Sequence, residues 1–230
     1  MAVSFFIIES LTQGSTHSID PETLRFQINA HLRECQCTTT SKSRLAATAT
    51  EVGKAFRVFS AWAGRFPQDD HIFLITSFHG KPPTEGHMGT AGLSAAHTSD
   101  TPSVVNWYEV MQGVMWHPNT TVLVDSCWGG SPTFASRASG TTRPSFVFGP
   151  TRPASAIEMG TARHLLVSFL AKHQTLNCRH AKKIVDILNS IYVPNEKGAP
   201  FFGVWMFESR GRNHFVRYPD TSRKVRRSSQ

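Results

Sequence analysis

Apolar residues fall along this chain in two alternating rhythms. Short unbroken runs at 3–8, 72–77, 121–124 and 145–150, rich in β-branched and aromatic residues, have the form of strands buried on both faces. Between them the spacing turns helical. Leu24, Ile28 and Leu32 predict a helix over 21–33 opened by Pro21 behind Asp20, and Val52, Phe56, Phe59 and Ala63 predict a second over 45–63. Further helices are expected over 103–115 through Val104, Trp107, Tyr108 and Met111, over 154–172, and over 181–192 through Ile184, Ile187, Leu188 and Ile191. Residues 36–43 and 131–145 read as polar loops, and 81–100 as a long binding or covering loop. Two last strands, 201–208 and 214–218, are expected across a turn at 209–211. Strands that alternate with helices predict an α/β sandwich of three layers, αβα, with a mostly parallel central sheet and right-handed crossovers.

At 230 residues the chain suits one such unit, and no internal repeat divides it. Residues 1–218 are read as one domain and 219–230 as a basic, disordered tail. The formal charge of +8 changes the picture little, because residues 211–230 hold six basic side chains (Arg212, Arg217, Arg223, Lys224, Arg226, Arg227) against Asp220. An excess gathered in a tail argues against a folded nucleic-acid-binding face, and no nucleic-acid contact is expected of it. Cys35, Cys37, Cys127 and Cys178 form no secretory disulfide pattern, which points to a reducing, cytoplasmic setting. The run at 3–8 meets Glu9 without a basic leader, so it reads as a strand and not a signal peptide, and no stretch is apolar enough to span a membrane.

The candidate chemistry sits where two of the strand runs end. His71 to Ser77 leads to Phe78-His79-Gly80, and Thr121 to Asp125 leads to Ser126-Cys127-Trp128-Gly129-Gly130, so neighbouring strands would bring an imidazole and a thiol to one sheet edge. That pair is the smallest set for thiol-based nucleophilic catalysis. Gly129 and Gly130 would let the backbone approach a reacting carbonyl and turn amide N–H groups toward an oxyanion. His87, His97 and His117 have no ligand spacing that argues for zinc and are read as loop residues, so no metal site is expected.

The His-Gly motif at His79-Gly80 and the Asp125-Ser126-Cys127 motif with its following glycines resemble the signatures of caspase-like cysteine peptidases, above all the metacaspase and bacterial caspase-like branches. The Gln-Ala-Cys signature of caspases proper is absent. The resemblance implies a caspase-like three-layer fold and an endopeptidase with a Cys127–His79 dyad, which needs no cofactor and acts on a protein or peptide substrate. It further implies the Gly80 and Cys127 amides as oxyanion donors, and Asp125 as the floor of a pocket with a weak preference for arginine or lysine at P1. Trp128 beside the nucleophile, and Phe78 before the histidine, are departures from the family pattern that either shape a substrate wall or cover a dead site. No acidic cluster of the calcium-binding kind is present, so calcium dependence is not expected.

Three alternatives stay open at this stage. Arg137, Arg143 or Arg152 would favour an acidic P1 residue, a covered dyad would leave a protein-interaction module, and the long 81–100 segment would suit an activating protein partner. A hydrolase of the nucleophile-elbow type fits less well, because Asp125 occupies the place where that motif has glycine.

Overall fold

The structure is a computed structural model that describes residues 2–10, 21–46, 48–80, 93–94, 104–105, 107–130, 134–135, 138, 142–192, 200–208 and 214–220. β1 (Val3–Glu9), β2 (Ser41–Leu45), β3 (His71–Ser77), β7 (Thr120–Asp125), β8 (Phe146–Pro150), β9 (Phe202–Glu208) and β10 (His214–Tyr218) form one sheet in the order β10-β9-β8-β7-β3-β1-β2. The pairs from β2 to β8 are parallel, and β9 runs against both of its neighbours. Three two-residue strands, β4 (His79–Gly80), β5 (Leu93–Ser94) and β6 (Val104–Val105), make a second, antiparallel sheet.

The period-two alternation of side chains along a strand divides the core. Phe5, Ile7, Phe73, Ile75 and Leu123 face one layer, of α1 (Pro21–Glu34), α4 (Ala156–His173) and α5 (Cys178–Ile191). Phe6, Ile8, Ile72, Leu74, Val122 and Val124 face the other, of α2 (Ala49–Ala63) and α3 (Trp107–Met111). Both faces are therefore covered, and the αβα sandwich is the observed architecture.

Four expectations shift in detail. The polar segment 36–43 is not all loop: Ser41–Leu45 is an edge strand on β1, a place where one neighbour suffices and no apolar pattern is required. Accordingly α2 begins at Ala49, behind a Thr48–Glu51 capping box. The third helix spans only Trp107–Met111, with Val104–Val105 in a strand before it. In α5 Val185 is buried where Ile191 was expected, and Ile191 is 56% exposed. Beyond Asp220 the expected tail, and most of 81–100, lie outside the described residues.

His71 opens β3 at the amino edge of the sheet, buried, with its Nε2 3.0 Å from Thr121 Oγ1. Burial, and secondarily the charge of His117, push its pKa down to about 3. The neutral ring is thus the folded form, and its contribution to stability is complete above the ordinary value of 6.5 and lost as pH falls from there toward 3. At ~1.4 kcal/mol per pH unit, the loss over that range is on the order of 5 kcal/mol. Urea midpoints of the native chain are expected to drop between pH 6.5 and 4 more steeply than those of His71→Gln, and equal slopes would exclude this source of acid lability.

Candidate active site at the carboxyl edge

β3 and β7 are hydrogen-bonded parallel neighbours whose register pairs Ser77 with Asp125. His79 and Cys127 each stand two residues past that pair, at the carboxyl edge where open parallel sheets carry their sites. The Phe78 N–H still bonds the Asp125 carbonyl at 3.2 Å, which ties the two chain segments just before they diverge. His79 then enters β4, opposite Ser94, and Gly80 lies opposite Leu93.

Alternation decides which way the last strand residues face. Asp125 follows Leu123, and Ser77 follows Ile75, on the face of α1, α4 and α5. There Ser77 Oγ donates to Asp125 Oδ2 at 3.4 Å, and Arg163 Nη1, from α4, lies 3.4 Å from the same oxygen. Both members of the ion pair are nearly enclosed, with the side chains 11% (Arg163) and 12% (Asp125) exposed. Burial pushes the Asp125 carboxyl above its ordinary value; the Arg163 charge and the Ser77 bond oppose that shift without cancelling it. Phe78 falls on the opposite face, buried edge-on to Trp107 with ring centroids 6.3 Å apart, so it belongs to the core under α3.

Cys127 is half-buried in the turn after β7. Its Sγ accepts the Ala154 N–H at 3.4 Å and lies 3.8 Å from the Ala154 carbonyl, immediately before the Ser155 cap of α4. Among the described residues the Cys127 amide meets no acceptor. Trp128, half-buried, takes φ 56°, a left-handed conformation that a bulky residue holds only under strain, and its N–H bonds the Arg152 carbonyl at 3.3 Å.

The two glycines that follow serve packing. Gly129 N–H donates to Ser126 O at 2.9 Å and Gly130 N–H to Pro150 O at 2.8 Å, so neither amide is aimed at an oxyanion as the sequence suggested. A Cβ on Gly129 would stand 2.3 Å from the Val124 carbonyl, and one on Gly130 would stand 2.4 Å from that of Gly149. The loop after the cysteine is docked backbone to backbone on the end of β8. Trp205 of β9 closes it by donating Nε1 to the Gly130 carbonyl at 2.9 Å.

The arginines weighed for an acidic pocket are engaged elsewhere. Arg152 pairs with Glu158 at 2.7 Å and lies over the Phe201 ring, Arg143 lies over Phe207, and Arg137 is outside the described residues. His117 lies in a loop before β7, as expected, and is buried there with Nε2 2.9 Å from the Pro67 carbonyl, while His87 and His97 fall outside the described residues. All four cysteines are free, Cys35 and Cys178 exposed and Cys37 buried. Among the described residues no group of three or more His, Cys, Asp or Glu could hold a metal ion, and no helix is long and apolar enough to cross a membrane.

The two neighbours of the site that sequence reasoning missed are Arg163 and Ala154. A signal for the first exists: Arg163 is a lone charge between the buried Ala162 and Leu166, on the helix layer that Asp125 faces.

The architecture is the caspase-like α/β fold, a mostly parallel sheet with helices on both faces. Among solved structures, the chain superposes on a secreted C11 cysteine protease from Bacteroides thetaiotaomicron, in complex with an irreversible peptide inhibitor, with a TM-score of 0.53 and 9% identity. That match covers 90% of this chain but 66% of the protease, so the chain spans just under two thirds of that protein. The Drosophila initiator caspase Dronc matches with a TM-score of 0.50 and 11% identity, over 88% of this chain and 78% of the caspase. No protein-family model and no curated protein sequence matches the chain.

Proposed function

We propose that this chain is a cysteine endopeptidase in which Cys127 attacks the scissile carbonyl and His79 assists by taking up the thiol proton and protonating the leaving amine. The observation that carries the reading is the β3–β7 register: with Ser77 opposite Asp125, His79 and Cys127 each follow the end of adjacent strands by two residues. Likeness in fold to two cysteine peptidases supports it, as do the His-Gly and Asp-Ser-Cys motifs, which lean toward the metacaspase side of that fold. The oxyanion donors are the Gly80 amide and the Cys127 amide, the latter without an acceptor among the described residues. Asp125 sets a weak preference for a basic P1 residue, and Trp128 lines the substrate path. Residues 1–218 form the peptidase domain. A reducing cytoplasmic compartment suits four free cysteines.

The test compares thiols within one molecule. Cys35 and Cys178 are exposed and Cys127 is only half-buried, so access alone favours the first two. A thiol-directed probe at neutral pH is expected to label Cys127 at least ~10-fold faster, because reactivity follows thiolate character. Cleavage of a peptide-reporter library with pooled P1 residues should accompany it. Slow labelling of Cys127 together with silence in every pool would overturn the reading in favour of a protein-interaction module.

A further inference from the structure

Asp125 already holds a cation from within the chain, and that bears on what the site selects. The Arg163–Asp125 contact is a single approach at 3.4 Å, longer than the ~2.7–2.9 Å of a tight charge-assisted hydrogen bond. Tight geometry is available nearby, since Arg152 and Glu158 pair at 2.7 Å. Asp125 is also the only ion-pair or hydrogen-bond partner of Arg163 among the described residues. Arg163 therefore sits against the carboxylate loosely, and nothing else among these residues holds its guanidinium.

It also has somewhere to go. Arg163 lines a cleft of about 180 Å³ between α1 and α4, together with Leu24, Gln27, Ile28, His31 and His164. That is more than ten times the ~15 Å³ that one water requires. A guanidinium leaving Asp125 could enter this cleft with its stem along Leu24 and Ile28 and its head beside Gln27.

We infer that Arg163 is a built-in occupant of the P1 pocket, a guanidinium that neutralises Asp125 in the free protein and that a substrate's arginine or lysine must displace. The inference rests on the peptidase reading, in which Asp125 faces the P1 side chain. Asp125 ends β7 two residues before Cys127, at most ~7 Å away along the chain, a distance that a P1 side chain spans from a carbonyl at the sulfur. With both partners enclosed, two cations cannot share the one carboxylate without mutual repulsion, so substrate and Arg163 compete. Such competition would leave the buried acid with only a weak preference for a basic P1 residue.

A purely structural Arg163 predicts something different. If the guanidinium only holds α4 to the sheet, its loss lowers turnover of all substrates together and leaves their ratio alone. The experiment is the ratio of kcat/KM for arginine and for acidic against neutral P1 reporters, in the native chain, Arg163→Met and Asp125→Asn. Arg163→Met is expected to raise that ratio at least ~10-fold, the scale of one competing charge contact. Arg163→Gln, which can still donate to Asp125, takes its place if the methionine variant fails to fold, with the same rise expected. Asp125→Asn, leaving the Arg163 cation uncompensated, is expected to turn the preference toward aspartate or glutamate at P1. A ratio unchanged or lowered in the folded Arg163 variant overturns the inference, as does an Asp125→Asn variant with no gain on acidic reporters. Cleavage with unmoved ratios leaves the peptidase reading standing, whereas an inert native chain with a slow Cys127 sinks both.

Discussion

Cys127→Ala is expected to abolish cleavage of every reporter, with a fall of at least ~10⁴-fold, because removing the nucleophile of a concerted set costs nearly the whole contribution of that set. His79→Ala is expected to lose less, about 10²–10⁴-fold, the usual worth of a positioned acid–base group. The difference has a physical origin. A cysteine is intrinsically nucleophilic and a few per cent thiolate at neutral pH, so it retains some attack when its partner is gone. Raising the pH should therefore recover part of the His79→Ala loss and none of the Cys127→Ala loss. Cys127 carries little of the fold: it is half-buried, and among the described residues its sulfur bonds only Ala154. Melting temperatures of the alanine at 127 and the native chain should agree within a few degrees. Cleavage that survives in Cys127→Ala would place the nucleophile elsewhere, and the exposed Cys35 and Cys178 would be the next to replace.

Much of this arrangement is written in period and punctuation. The runs at β1, β3, β7 and β8 are apolar on both faces because helices cover both faces, so they stand out without any alternation. α1 and α2 are visible because each buries one stripe. β2 is invisible to the same reasoning: Ser41–Leu45 is an edge strand whose residues remain half-buried or exposed, so burial imposes no pattern on it. The start of α2 was legible by another route, since Thr48 and Glu51 stand at capping-box spacing. For the site, strand ends located His79 and Cys127, but strand ends say nothing of what the opposite helix layer presents. Arg163 reaches Asp125 only because α4 packs on the sheet face that Asp125 shares, a tertiary fact with no local signature beyond a charge among apolar neighbours. The glycines after Cys127 show the reverse error. Their presence was legible, but the purpose assigned to them was chemical, and the fold uses them to dock one backbone on another.

That docking makes Gly149→Ala one of the most damaging small substitutions expected in the described structure. Gly149 lies on β8, away from the cysteine in sequence, yet a Cβ there would stand 2.4 Å from both Gly129 C and Gly130 N. The obstructing atoms are backbone, held by the Gly130 N–H to Pro150 bond and the Trp205 bond to Gly130, so no side chain can swing aside. Relief requires the loop after Cys127 to lift from the sheet, which breaks those bonds and moves the sulfur off Ala154. The cost is expected at ~3 kcal/mol or more, the upper range of overpacking, and for a chain of this size it lowers the melting temperature by roughly 6–12 °C. Gly53→Ala is the matching control. It lies inside α2, its Cβ would meet nothing closer than Arg57 Nη1 at 3.5 Å, and alanine favours a helix interior by up to ~1 kcal/mol. The control should hold or raise the melting temperature, while Gly149→Ala should lower it and alter the labelling rate of Cys127 together. Loss of stability with unaltered labelling would separate the sheet end from the site, and a melting temperature within two degrees or so of the native chain would mean that the loop yields more easily than its backbone contacts imply.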